Sequence, residues 1–68
     1  MVEASLLASV WKVVVEVGQP VAAGDPLVVL ESMKMETTVN APVAGRVVRI
    51  MVSSGQDVVP GQALVALS

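Results

Sequence analysis

Short apolar runs, most of them rich in valine, alternate along the chain with turn residues at intervals of about ten positions. Valine is stiff at χ1 and packs well on a pleated surface, so these runs favour strands. The only helix-like stretch, residues 4–9, is short and has no capping residues. The pattern predicts an all-β sandwich or barrel with strands at 10–17, 21–22, 26–30, 37–40, 46–52, 57–59 and 63–67.

The chain aligns with itself without a gap at a shift of 37 positions, the distance from Gly18 to Gly55. A chain this rich in valine and alanine matches itself by chance at several positions. Chance does not readily supply the segment Gly-Gln-x-Val-x-x-Gly, which begins at Gly18 and again at Gly55. Because a solenoid needs three or more repeats, two copies predict a pseudo-twofold pair around one core. We expect residues 1–68 to form one domain.

The residue inventory excludes most catalytic and metal sites. The 68 residues include no histidine and no cysteine, so Ser-His-Asp and Cys-His arrangements and the usual zinc sites cannot form. We therefore predict no catalytic residue and no metal ligand, and we do not expect an enzyme that acts alone.

Charge and run length exclude two classes of partner. The net charge is −2 and tryptophan is the only aromatic residue, so the chain lacks the basic footprint and stacking platform of nucleic-acid binders. The chain is 54% hydrophobic, but charged residues, glycine or proline interrupt every run before the ~20 residues of a spanning helix. The first residues also lack the basic region of a secretory signal. We expect a cytoplasmic protein that contacts neither nucleic acid nor membrane.

Residues 31–36, Glu-Ser-Met-Lys-Met-Glu, lie where the repeat stops, because the second copy ends at Ser68, opposite Glu31, and residues 32–36 have no counterpart. Two strands that meet across a few residues form a hairpin, which places Lys34 at a tip between Met33 and Met35. One interpretation is an ordinary solvated lysine in a turn. The methionines favour a second interpretation, recognition by a partner, because methionine is over-used at surfaces that a partner grips.

This hexapeptide and three later segments resemble the biotinyl domain of biotin-dependent carboxylases. The later segments are Ala-Pro at 41–42, Gly-Arg-Val at 45–47 and Gly-x-x-Val-x-x-Gly-x-x-Leu at 55–64. Residues 10–13 also resemble small single-domain biotinyl proteins and the carrier domains of urea carboxylases. The chain departs from the family pattern at Ser32, where alanine is commoner, and at 4–8, where Ala-Pro and Gly are common.

The resemblance implies a flattened barrel-sandwich of two four-stranded antiparallel sheets with pseudo-twofold symmetry. It implies a carrier rather than a catalyst, with biotin joined covalently to Lys34 by a biotin protein ligase. That ligase would recognise Met33, Met35, Glu31 and Glu36. A biotin carboxylase would then load a carboxyl group on the ureido nitrogen, and a carboxyltransferase would pass it to an acceptor. The residue type fits, because lysine offers a primary amine and arginine does not.

Two alternatives remain open. A lipoyl domain is the structural sibling, but lipoyl domains typically place aspartate before the lysine and alanine after it, where this chain has Met33 and Met35. The second alternative is an unmodified β interaction module, in which no ligase would recognise the two methionines.

Overall fold

The structure, a computed structural model, describes every residue from Met1 to Ser68 and contains only strands and turns. The predicted all-β class is therefore confirmed. There is accordingly no helix that could serve as a membrane span. The strands are β1 (Val2–Glu3), β2 (Ala8–Val13), β3 (Pro20–Val21), β4 (Pro26–Ser32), β5 (Met35–Asn40), β6 (Gly45–Ile50), β7 (Asp57–Val58) and β8 (Ala63–Leu67).

The strands form two four-stranded antiparallel sheets with the orders β1-β8-β6-β3 and β5-β4-β2-β7. Both sheets contribute to one cluster of buried side chains, so they share a core. No polar or charged side chain is buried in it. The largest side chains with almost no exposed surface are Leu27, Leu30, Leu64, Val10, Val28, Val47, Val58 and Val65.

The predicted pseudo-twofold symmetry is visible in the strand pairing. Val10 lies opposite Leu30 across β2 and β4, as Val47 lies opposite Leu67 across β6 and β8. The register then shifts directly after this pair in both halves. The short strands follow the same rule, since β2 pairs with β7 as β6 pairs with β3. The gapless repeat of the sequence is thus a repeat of structure.

Two equivalent turns show why the repeat keeps glycine and glutamine together. Gly18 has φ of 92° and Gly55 has φ of 88°, in a region that a residue with a Cβ rarely adopts. The Oε1 of Gln19 accepts a hydrogen bond from the backbone N–H of Glu16 at 3.1 Å. The second copy repeats this contact with Gln56 and Ser53 at 3.2 Å.

Several strand ends differ from the prediction. The valine-rich run at 10–17 predicted one long strand, whereas β2 begins at Ala8 and ends at Val13. The predicted strand at 46–52 likewise lies at Gly45–Ile50. No polar residue marks the point where pairing stops, so the hydrophobic pattern cannot locate it. The end of β2 is therefore the largest difference. At the hairpin, β4 extends to Ser32 and β5 begins at Met35, so both strands reach further toward the tip than predicted.

Candidate functional site

The hairpin between β4 and β5 has a loop of two residues. Ser32 pairs with Met35, so only Met33 and Lys34 lie between the strands. Their φ angles are 51° and 67°, and two consecutive positive values are typical of a type I′ turn. Such turns favour Asn-Gly, because a left-handed conformation costs other residues about 1–2 kcal/mol each. The chain therefore keeps Met-Lys at the tip against the backbone preference.

The tip presents its side chains to solvent. Met33 is 92% exposed and Met35 is 70% exposed. Lys34 is also exposed and takes part in none of the side-chain hydrogen bonds. The other lysine, Lys12, lies in the middle of a strand with its Nζ 4.7 Å from the ring centroid of Trp11. Of the two lysines, only Lys34 projects from a strand end without a side-chain partner.

Two acidic residues flank the tip. Glu31 and Glu36 lie directly opposite each other across the hairpin, and both are exposed. Like charges in such a pair destabilise a sheet, so this pair does not stabilise the hairpin. The structure thus brings together the lysine, both methionines and both glutamates that the sequence singled out.

The acidic row continues across the sheet to two residues that the sequence analysis missed. Ser9 lies opposite Glu31, and Asp57 lies opposite Ser9 on β7. The Ser9 Oγ donates a hydrogen bond to Asp57 Oδ1 at 2.8 Å. A signal for both was present, because their repeat equivalents, Arg46 and Pro20, are of different chemical types. The carboxylates of the row do not gather into a group that could hold a metal ion.

An open groove of about 460 Å³ lies beside the hairpin. No second groove of this kind exists on the molecule. Its lining is part apolar and part polar, and consists of Leu7, Ala8, Ser9, Glu31, Ser32, Met33 and Asp57. The hairpin, the acidic row and the groove form one continuous surface.

Comparison with known sequences places residues 1–67 within the family model described as "Biotin-requiring enzyme". The chain is 46% identical to the Biotinylated protein TB7.3 homolog of Mycobacterium leprae over 67 residues, which cover 98% of this chain and 94% of that protein. It is 43% identical to the Biotin carboxyl carrier protein of Streptococcus mutans over 65 residues. That match covers 96% of this chain and half (50%) of the relative.

Two solved structures share the fold. The urea carboxylase of Kluyveromyces lactis matches the whole chain (100%) with a TM-score of 0.94 and 31% identity, over 6% of that larger protein. The lipoyl domain of the 2-oxoglutarate dehydrogenase complex from Azotobacter vinelandii matches it with a TM-score of 0.79 and 20% identity, over 96% of that chain. The second likeness concerns the fold alone.

Proposed function

The chain belongs to the family of biotin-requiring enzymes and is a biotin carboxyl carrier, and we propose that its biotin is attached to Lys34. The observation that carries this proposal is the exposed position of Lys34 in the two-residue loop between β4 and β5. We propose residues 1–68 as one biotinyl domain. Its role is that of a carrier, in keeping with the carrier proteins that it resembles.

The residues at the tip fit a covalent attachment. A primary amine on a flexible stem can form an amide with a carboxyl group, and Lys34 offers one in solvent. In that step the Nζ loses a proton, the N–C bond forms, and the group that activates the carboxyl leaves. The activation of the carboxyl group must come from a ligase, because an amine does not displace an oxygen from a free carboxylate. Once attached, biotin supplies a ureido nitrogen that can hold a carboxyl group.

The chain's own contribution is presentation of the amine. Strand β4 runs through the core with Leu27, Val28 and Leu30 fully buried, so the hairpin extends from the most firmly packed strand. The two-residue loop leaves Lys34 little freedom to retreat toward the sheet. A partner enzyme therefore meets the backbone of Lys34 at a fixed place, with the amine on its flexible stem within reach.

We propose that the ligase recognises the side chains around Lys34. Met33 and Met35 give it apolar surface to grip, since both are largely exposed. Glu31 and Glu36 form an opposed pair of carboxylates, and a basic ligase surface would offset the repulsion between their charges. Met33 is in the loop and Met35 follows it directly, while Glu31 and Glu36 each lie two positions from an end of the loop.

The further partners are proposed from the relatives. A biotin carboxylase and a carboxyltransferase would act in turn on the arm carried by Lys34, in the cytoplasm. A net charge of −2 supports a protein that binds neither nucleic acid nor membrane. The lipoyl alternative has support in the fold likeness alone, and the methionines beside Lys34 disagree with it.

Intact mass spectrometry tests the choice of cofactor. The purified chain is incubated with a biotin protein ligase, biotin and ATP, and in parallel with a lipoate ligase, lipoate and ATP. We expect a mass increase of one biotinyl group in the first reaction and no increase in the second. Lipoylation without biotinylation would contradict the proposal, and no increase in either reaction would favour an unmodified interaction module.

A further inference from the structure

The groove beside the hairpin owes its character to positions where the two copies differ. Three of its four polar residues, Ser9, Glu31 and Asp57, have the repeat equivalents Arg46, Ser68 and Pro20, and the fourth, Ser32, has no equivalent. At the equivalent end of the molecule, the Arg46 side chain instead donates a hydrogen bond to the carbonyl oxygen of Gly18 at 2.8 Å. No groove is found there. The shared fold therefore does not create the groove, and its residues are specific to the hairpin end.

The polar lining of the groove consists mainly of acceptors. The Ser9 hydroxyl hydrogen is committed to Asp57 Oδ1, which leaves Asp57 Oδ2 and the Glu31 carboxylate free to accept. None of the seven lining side chains carries an N–H group. Leu7, 66% exposed, and Met33 add apolar surface. A complementary ligand has N–H donors and an apolar body.

We propose that this groove holds the ring system of the biotin carried on Lys34, an inference that rests on the proposed function. The two ureido N–H groups would donate to Asp57 and Glu31, and the thioether ring would lie against Leu7 and Met33. A negative charge added to the ring would be repelled by both carboxylates. The groove thus selects the uncharged form of the arm.

A weak binding site is enough to hold the ring for part of the time, because the tether to Lys34 keeps the ring close to the groove. Ser32 and Met33 line the groove and directly precede Lys34, so a flexible arm on Lys34 starts at its edge. A short flexible tether gives an effective concentration on the order of millimolar. An intrinsic dissociation constant of that order therefore gives comparable docked and free populations. The groove is open, so the arm can leave it to enter a partner enzyme.

Nuclear magnetic resonance of the unmodified and biotinylated chains tests the proposal. Intact mass first verifies that one biotinyl group is present. We expect the amide resonances of Ser9 and Asp57 to shift on biotinylation, with nuclear Overhauser contacts between ring protons and Leu7 methyl groups. The amides of Gly45 and Arg46, the equivalents of Ala8 and Ser9, serve as internal controls and should not move.

A pair of charge-matched variants sharpens the test. In Asp57→Asn the side-chain oxygen can still accept from Ser9, but its amide N–H₂ replaces the free acceptor that faces the ring. We expect about a tenfold lower docking constant, or ~1.4 kcal/mol, and loss of the contacts to Leu7. Glu16→Gln removes the same charge from an exposed residue outside the groove and should preserve them.

The outcomes distinguish a failure of the docking proposal from a failure of the proposed function. A biotinylated chain whose groove amides do not shift would overturn the docking proposal and leave the proposed function intact. Shifts at the groove that occur only after a partner protein is added would overturn it in favour of protein docking. A chain that takes up no biotin would overturn both.

Discussion

The two copies of the repeat are alike in the core and unlike at one end. Leu27 and Leu64 occupy equivalent, fully buried positions, and Gly18 and Gly55 occupy equivalent turns. The end of the molecule that carries Lys34 differs from its equivalent at Ser9, Glu31 and Asp57 of the groove. The comparison teaches that the shared positions specify the fold, and we propose that the unshared ones carry the function.

The largest expected effect concerns the shared core. Leu27→Ala and Leu64→Ala each leave a cavity where a fully buried side chain stood, and such changes cost about 2–5 kcal/mol. Because the positions are equivalent, we expect similar losses in the free energy of unfolding. Urea denaturation of both variants measures them. A large loss for one variant and a small loss for the other would show that the two buried positions are not equivalent.

The next effect concerns the shared turns. Gly18→Val and Gly55→Val each place a β-branched side chain at a φ near 90°, at a cost on the order of 1–3 kcal/mol. A Cβ at either position meets no atom within 4 Å beyond its chain neighbours, so the cost comes from the local backbone and should be equal. Thermal denaturation followed by circular dichroism compares the two. Unequal shifts in Tm would show that the two turns are not equivalent.

A smaller effect is expected at the unshared tip, on function rather than fold. The double variant Met33→Asp with Met35→Ala removes the exposed apolar surface, and aspartate tolerates the positive φ of Met33. We expect biotinylation by the ligase to slow by about tenfold, or ~1.4 kcal/mol in the barrier, with an unchanged circular dichroism spectrum. The exposed pair Val43→Asp and Val48→Ala, away from the hairpin, serves as a control. A normal rate for the tip variant would mean that the methionines are not recognition elements.

The smallest effect is that of biotin on stability. Lys34 lies outside both copies, and a ring that is docked about half of the time adds only RT ln 2, about 0.4 kcal/mol. We therefore expect nearly equal urea midpoints for the unmodified and biotinylated chains. A midpoint far higher after biotinylation would indicate a ring packed permanently on the domain.

The sequence predicted the fold and the lysine hairpin, but it did not predict the conformation of the loop or the residues that meet beside it. The repeat of Gly-Gln-x-Val-x-x-Gly predicted the symmetry, because glycine at a positive φ leaves a clear mark in a sequence. It did not predict the two-residue loop at Met33 and Lys34, since neither residue favours a left-handed conformation. It also missed Ser9 and Asp57, which lie 48 positions apart and meet only because β2 pairs with β7.

The central claim, that the unshared hairpin carries the function, is tested most directly by peptide mapping after treatment with ligase, biotin and ATP. The wild-type chain, Lys34→Arg and the control Lys12→Arg are compared, with circular dichroism to verify that each is folded. We predict one biotinyl group on Lys34 in the wild type and in Lys12→Arg, and none in Lys34→Arg. Biotin on Lys12, or biotin that persists in Lys34→Arg, would contradict the account.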